Sequence, residues 1–300
     1  MQNEQNEVVE MAIDKAYTEE SLSVFKEFNL EMTSDFIKSI RRSANNGISI
    51  ITSVLGGWKK LVTSIDSMDE DEVDARIVNS LPEKLDKTYK GLALSKINYG
   101  DVRNVRVMVP IGLDATYLDY MEVMRLYQEE VNRIETSTLT NFENLLGKIK
   151  NNMFDENNLS AMIRSAGVYL SDVDKLKAAN SKVISRNKRS YQLYGKLVRR
   201  NNDLPMVIKE YKQLIKSHSA ISRKNVSKKV NNCSKLIDNI IKELDELVLE
   251  KGNVDKDIRL LADLTLAVGV QVEIYAVHTY NLRVLGNSIN DAILEIKKAK

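Results

Sequence analysis

The chain has 300 residues, 43% of them hydrophobic and 29% charged, with a net charge of only +2. That apolar content is enough to bury a core, which excludes global disorder. One cysteine, Cys233, excludes an intramolecular disulfide framework, and with two histidines it leaves too few soft ligands for a zinc site. Three prolines and 12 glycines are few for the turns of a sandwich or barrel and suit long helices instead.

The first residues, MQNEQNEVVEMAIDKAY, are acidic and polar with no apolar signal region, and no apolar run reaches the ~18 residues that crossing a bilayer requires. The expectation is a soluble protein of a reducing, cytoplasmic compartment. Val8, Val9, Ala12, Ala16, Leu22 and Phe25 recur at helical spacing, and Thr33-Ser34-Asp35 offers capping oxygens to the next segment. Ile48, Ile51, Leu55, Trp58, Val62 and Ile65 then define an amphipathic helix. Its span, 47–65, also has the form of an interfacial membrane helix, which makes a peripheral membrane-binding protein the second alternative function, but its polar face carries few lysines, so a core-facing helix is expected and a membrane partner is not. The acids from Asp66 to Asp74 lack the turn glycine of a calcium loop and read as a solvated entry to a helix.

Residues 80–113 hold Pro82, Pro110, Gly91, Gly100 and Gly112 and are the least helical stretch. Within them Val105-Arg106-Val107-Met108-Val109 alternates and predicts a short strand ending at Pro110, packed against helices because a two-stranded piece is marginal alone. From Asp114 the helical period returns, through Tyr117, Met121, Met124, Val131 and Ile134 to Phe142, Leu145, Leu146 and Ile149, ending near Asn151-Asn152. A second long helix is expected from Leu159 to about Arg200. Asp203 is read as a cap and Pro205 as a first-turn residue of a third helix, which runs toward Glu250 and stops at Lys251-Gly252-Asn253. A fourth is expected from Asp255 to about Lys297. The fold class is all-α: an N-terminal helical unit (1–79), an irregular joint with a possible short strand (80–113), and a long-helix bundle (114–300).

Charge along this chain is sorted. Between Lys175 and Lys235 there are 17 Lys and Arg against two acids, Asp203 and Glu210, a local net of +15 that leaves −13 for the other 239 residues. On the expected second helix, Lys175, Lys182, Arg186, Arg189, Lys196, Arg199 and Arg200 fall in one arc, with Leu176, Val183, Tyr194, Leu197 and Val198 opposite and Leu193 as the misfit. After the Pro205 turn, Lys209, Lys212, Lys216 and Arg223 continue as a stripe, and Lys224 and Lys228 drift to its edge. Two helices joined by a tight turn would present one basic surface. Ordinary solvated faces mix signs, because Glu–Lys pairs four apart stabilise a helix by ~0.2–0.5 kcal/mol and like pairs cost as much. Nearly all such pairs here are alike, so an outside polyanion or the acidic remainder of the protein is expected to neutralise them.

No motif names a reaction. Gly147-Lys148 and Gly195-Lys196 lack the upstream glycine of a phosphate loop, Cys233 has no nucleophile context, and neither His218 nor His278 has a partner at metal-ligand spacing. Glu129, Glu130 and Glu135 lack the Glu-x-x-His companion of a di-iron bundle. No cofactor, metal or enzymatic activity is expected. The leading expectation is a structural protein whose basic face binds nucleic acid through phosphates, without base reading, since no recognition-helix, zinc-finger or aromatic sheet motif is present. Tyr191, Tyr194 and Tyr211 sit in the block at spacings that fit buried faces rather than base stacking. The alternative is an assembly protein, homo-oligomeric or part of a larger complex, whose block docks on an acidic protein surface. The Asn-, Lys- and Ile-rich texture suggests an AT-rich genome, as in many phages and some bacteria, and with the missing enzymatic motifs is the ground for a virion setting.

Overall fold

A computed structural model describes residues 56, 75–90, 92, 97–110, 115–151, 159–170, 189–200, 202–221, 223–251 and 255–299. The helices expected before residue 66, the 47–65 amphipathic segment apart from Gly56, and the acidic run 66–74 lie outside them. In chain order the described elements are α1 (Ala75–Tyr89), α2 (Tyr99–Val102), β1 (Arg106–Pro110), α3 (Tyr117–Arg133), a π-helical turn (Ile134–Leu139), α4 (Thr140–Asn151), α5 (Leu159–Ser165), β2 (Arg189–Leu193), α6 (Tyr194–Leu197), α7 (Asp203–Ser219), α8 (Arg223–Lys251) and α9 (Asp255–Lys298). Among the described residues the protein is all-α apart from one two-stranded antiparallel sheet.

Contacts divide the chain into two compact units interleaved in sequence: 1–67, 130–175 and 222–275 form the first, and 68–129, 176–221 and 276–300 the second. In the first, α4 buries Phe142, Leu145, Leu146 and Ile149, one stripe at helical spacing. It packs on α8, whose Val226, Val230, Cys233, Ile237 and Ile240 repeat in alternating steps of four and three, the period of a straight helix–helix seam. Leu261, Ala262, Leu264, Thr265, Val268 and Val272 of α9 are buried and share one broad face of the helix. The Thr265 hydroxyl satisfies itself on the Leu261 carbonyl at 2.6 Å.

In the second unit, α1 supplies Leu81 and Leu85, and α7 supplies Leu204, Val207, Ile208, Tyr211, Leu214 and Ile215. The later part of α9 adds Leu282, Leu285, Ile289, Ile293 and Ile296. Gly286 of α9 is a close-approach site: a methyl there would collide with the Tyr211 ring and hydroxyl, which donates to the Leu282 carbonyl at 2.8 Å. The strand expected at Val105–Val109 is found one residue later. Val107 and Val109 are buried, while Met108, paired with Tyr191, lies on the opposite face.

Three expectations are corrected. The stretch 80–113 opens with helix, because α1 continues to Tyr89 with Pro82 inside it. An interior proline costs ~3 kcal/mol, and burial of Leu81 and Leu85 at 1% and 0% exposure opposes that cost. The helix expected from Leu159 to Arg200 is not continuous: α5 ends at Ser165, Gly167 turns the chain with φ +61, and Arg189–Leu193 form β2, with 171–188 outside the described residues. A lone strand β1 would leave its ladder groups unpaired, and β2 satisfies them in the register Arg106↔Leu193 to Pro110↔Arg189. The third helix is two, α7 and α8, separated at a serine-rich stretch with no proline or glycine to announce it. Asp203 does not cap α7; its carboxylate accepts from the Arg200 amide at 3.1 Å and braces the preceding bend. The end of α4 at Asn151, the end of α8 at Lys251 and the span of α9 agree with the sequence reading.

Candidate polyanion-binding groove

Correcting the 159–200 helix removes the arc on which half the basic residues were placed. Lys175, Lys182 and Arg186 lie outside the described residues. Arg189 opens β2, Lys196 is exposed on α6, and Arg199 and Arg200 are exposed in the bend before α7. Lys209, Lys212 and Lys216 are on α7 in the second unit, whereas Arg223, Lys224 and Lys228 are on α8 in the first. The block is therefore divided between two units, and each part stands by itself.

In the second unit the structure does bring cations together. Lys209, Lys212 and Lys216 lie within about 60° of one another at 100° per residue on α7, opposite the buried face. They border an open groove of about 410 Å³ where α7 runs beside α1. Asp86 and Gln213 complete its polar rim, and Tyr89, Pro205 and Ile208 supply apolar lining. Lys212 is bridged to Asp86. Among the described residues neither Lys209 nor Lys216 has a carboxylate within ion-pair distance. The two acids of the block are occupied elsewhere, Glu210 by Arg125 and Asp203 by Arg200 at 3.6 Å. Arg199 reaches Asp119 at 3.5 Å. The more exposed of these pairs, Arg199–Asp119 and Lys212–Asp86, are each worth about 0–1 kcal/mol.

The groove was only half visible in sequence. Its lysines were expected, but Asp86 and Tyr89 fell in a stretch read as irregular; the four-residue steps Leu81, Leu85, Tyr89 were the available signal. Of the three tyrosines in the block, Tyr194 and Tyr211 are buried, as their spacing implied, but Tyr191 is 59% exposed on β2. Arg106 lies over the Tyr191 ring at 6.0 Å.

On α8 the first unit uses its polar residues differently. Asn225 donates to Glu135 at 3.0 Å, Lys229 to the Thr140 hydroxyl at 2.6 Å, and Asn232 to Glu143 at 2.8 Å. These bonds tie α8 to the π-turn and to α4, while Lys224 and Lys228 are exposed. Beside the π-turn, Tyr169 donates to Glu130 at 2.7 Å and lies under the Arg133 guanidinium at 4.6 Å. Burial first, and then the Glu130 carboxylate, push its phenol up to about 12.

Sequence spacing also missed the meeting of the two histidines in the core of the second unit. Their rings stand edge to face, 5.3 Å apart. His218 Nε2 lies 2.8 Å from the Thr279 hydroxyl, and His278 Nε2 lies 2.9 Å from Gln128 Oε1. Burial pushes His218 down to about 4 and His278 well below its usual range, the latter helped by His218 itself. Both are neutral at pH 7. No group of three or more His, Cys, Asp or Glu that could hold a metal occurs among the described residues, and no helix there is long and apolar enough to cross a membrane. Burial raises the Cys233 thiol far from reactivity.

Comparison with models of protein families, with curated proteins and with solved structures finds no match to this chain.

Proposed function

We propose that this is a non-enzymatic structural or architectural protein that binds nucleic acid without sequence preference, through phosphate contacts to basic side chains of its second unit. The supporting observation is the rank of Lys209, Lys212 and Lys216 along one groove, with Lys209 and Lys216 unopposed by any described carboxylate. Lys196, Arg199 and Arg200, exposed in the same unit, add to its positive field. A phage particle in contact with packaged DNA is the setting to which the composition points. Phosphate-only binding releases counterions, so affinity falls steeply with salt.

One observation favours the alternative, an assembly protein docking on an acidic protein surface: Arg199, Arg200 and Lys212 already bind carboxylates. A salt-titrated DNA-binding measurement separates the two. Nucleic-acid binding predicts a log–log salt slope that shrinks by about 1 for each phosphate-contacting lysine neutralised. The assembly reading predicts no DNA affinity, and a change in molecular weight when Arg199 and Arg200 become Glu. A flat salt dependence rejects the phosphate mode.

A further inference from the structure

We propose that the α1–α7 groove takes a single-stranded nucleic acid segment, with phosphates at Lys209 and Lys216 on either side of the Lys212–Asp86 pair and a base against the apolar lining at Tyr89. This rests on the nucleic-acid reading above and narrows its ligand. The three lysines span seven residues of helix, about 10 Å at 1.5 Å per residue, the length of about three nucleotides at the 3.4 Å stacked rise. A cavity of about 410 Å³ is of the size that holds a small flat ligand, and it is open to solvent.

The lining decides between single strand and duplex. A duplex presents phosphates and sugars outward and keeps its base faces stacked inside, so it would meet the lysines and leave Tyr89 and Pro205 uncovered. A single strand offers both a charged backbone and a bare aromatic face, the combination of a cationic rank with an aromatic platform. Tyr89 is half-buried, and its phenol is held above its ordinary value by that burial, so a neutral ring is presented at any physiological pH. The pairing of Lys212 with Asp86 leaves Lys209 and Lys216 as the cations open to phosphate.

The test uses the full chain and three fluorescein-labelled probes: a 12-nucleotide oligo-dT, a 12-base-pair duplex and a 12-residue poly-glutamate. Anisotropy titrations at 50–200 mM salt are expected to show oligo-dT bound at least about tenfold more tightly than duplex. Tyr89→Ala should weaken oligo-dT about tenfold, the scale of one lost base stack, and leave the duplex unchanged, while Tyr89→Phe keeps the affinity. Lys209→Gln with Lys216→Gln should weaken oligo-dT and lower its salt slope by about 1.4. Equal affinity for strand and duplex, with no effect of Tyr89→Ala, overturns the single-strand inference and leaves the nucleic-acid reading standing. No binding to either nucleic acid, or tighter binding of poly-glutamate, overturns both. Thermal melts of each variant separate lost contacts from lost fold: unchanged melting with lost affinity supports the groove. If Tyr89→Ala lowers the melting temperature, Tyr89→Leu replaces it; unchanged oligo-dT affinity in that variant overturns the stacking role.

Discussion

Consecutive helices cut from one basic stretch put their polar side chains to different ends. Three lysines of α7 share a face along a groove, whereas α8 points Asn225, Lys229 and Asn232 at Glu135, Thr140 and Glu143 and leaves Lys224 and Lys228 exposed. The difference lies in what stands opposite. The π-turn and α4 present carboxylates and a hydroxyl to α8; α1 presents one acid, Asp86, to three lysines of α7. A run of positive charge in sequence stays unneutralised only where the neighbouring element withholds its acids.

The sharpest contrast between the two units is their response to acid, because both histidines lie in the second. An unfolded imidazole takes its proton near pH 6.5, but buried His218 resists until about pH 4. The unfolded chain therefore binds more protons across that window, and stability present above pH 6.5 is lost as pH falls toward 4, about 3 kcal/mol from His218 alone. Among the described residues, the Tyr127 ring is stacked 6.2 Å from His278, and the hydrogen-bond partners Gln128 and Thr279 are neutral. Urea denaturation at pH 7 and pH 4 measures the loss, and a His218→Gln, His278→Gln variant should lose less over the same interval. Equal losses would count against the pair as the cause.

Next in size is Gly286→Ala. Alanine ordinarily gains ~1 kcal/mol over glycine inside a helix, yet here its methyl meets Tyr211, and a net loss of about 2 kcal/mol is expected by chemical denaturation. In the first unit, Asn232→Ala removes the bond to Glu143 and should cost about 1 kcal/mol without touching nucleic-acid affinity. Smallest of all, Lys224→Gln with Lys228→Gln should shift stability by less than about 0.5 kcal/mol and leave oligo-dT binding unchanged. An effect as large as that of Lys209→Gln with Lys216→Gln would erase the distinction between α7 and α8.

Periodicity carried the all-α class, α4, α9 and the strand at Val107 and Val109, because each buries a stripe whose spacing is its own evidence. It could not show β2. Arg189-Ser190-Tyr191-Gln192-Leu193 has no strong strand pattern, and its conformation follows from a partner strand about 80 residues earlier. Tyr194, Leu197 and Val198 are buried as the wheel required, though on a short turn rather than a long helix. The block of charge was plain in sequence, but its division between two units was not, since that depends on where α7 stops. Nor could spacing reveal His218 beside His278, 60 positions apart along the chain.

The two-stranded sheet has a kinetic consequence. Pairing Val107 with Gln192 closes a loop of about 85 residues for few ladder bonds, an entropy cost met only after the surrounding helices have gathered. The β1–β2 ladder should therefore form late on the route to the native state. Substitutions such as Val107→Ala are expected to quicken unfolding while leaving the refolding rate nearly unchanged, a ratio that stopped-flow measurement reads directly.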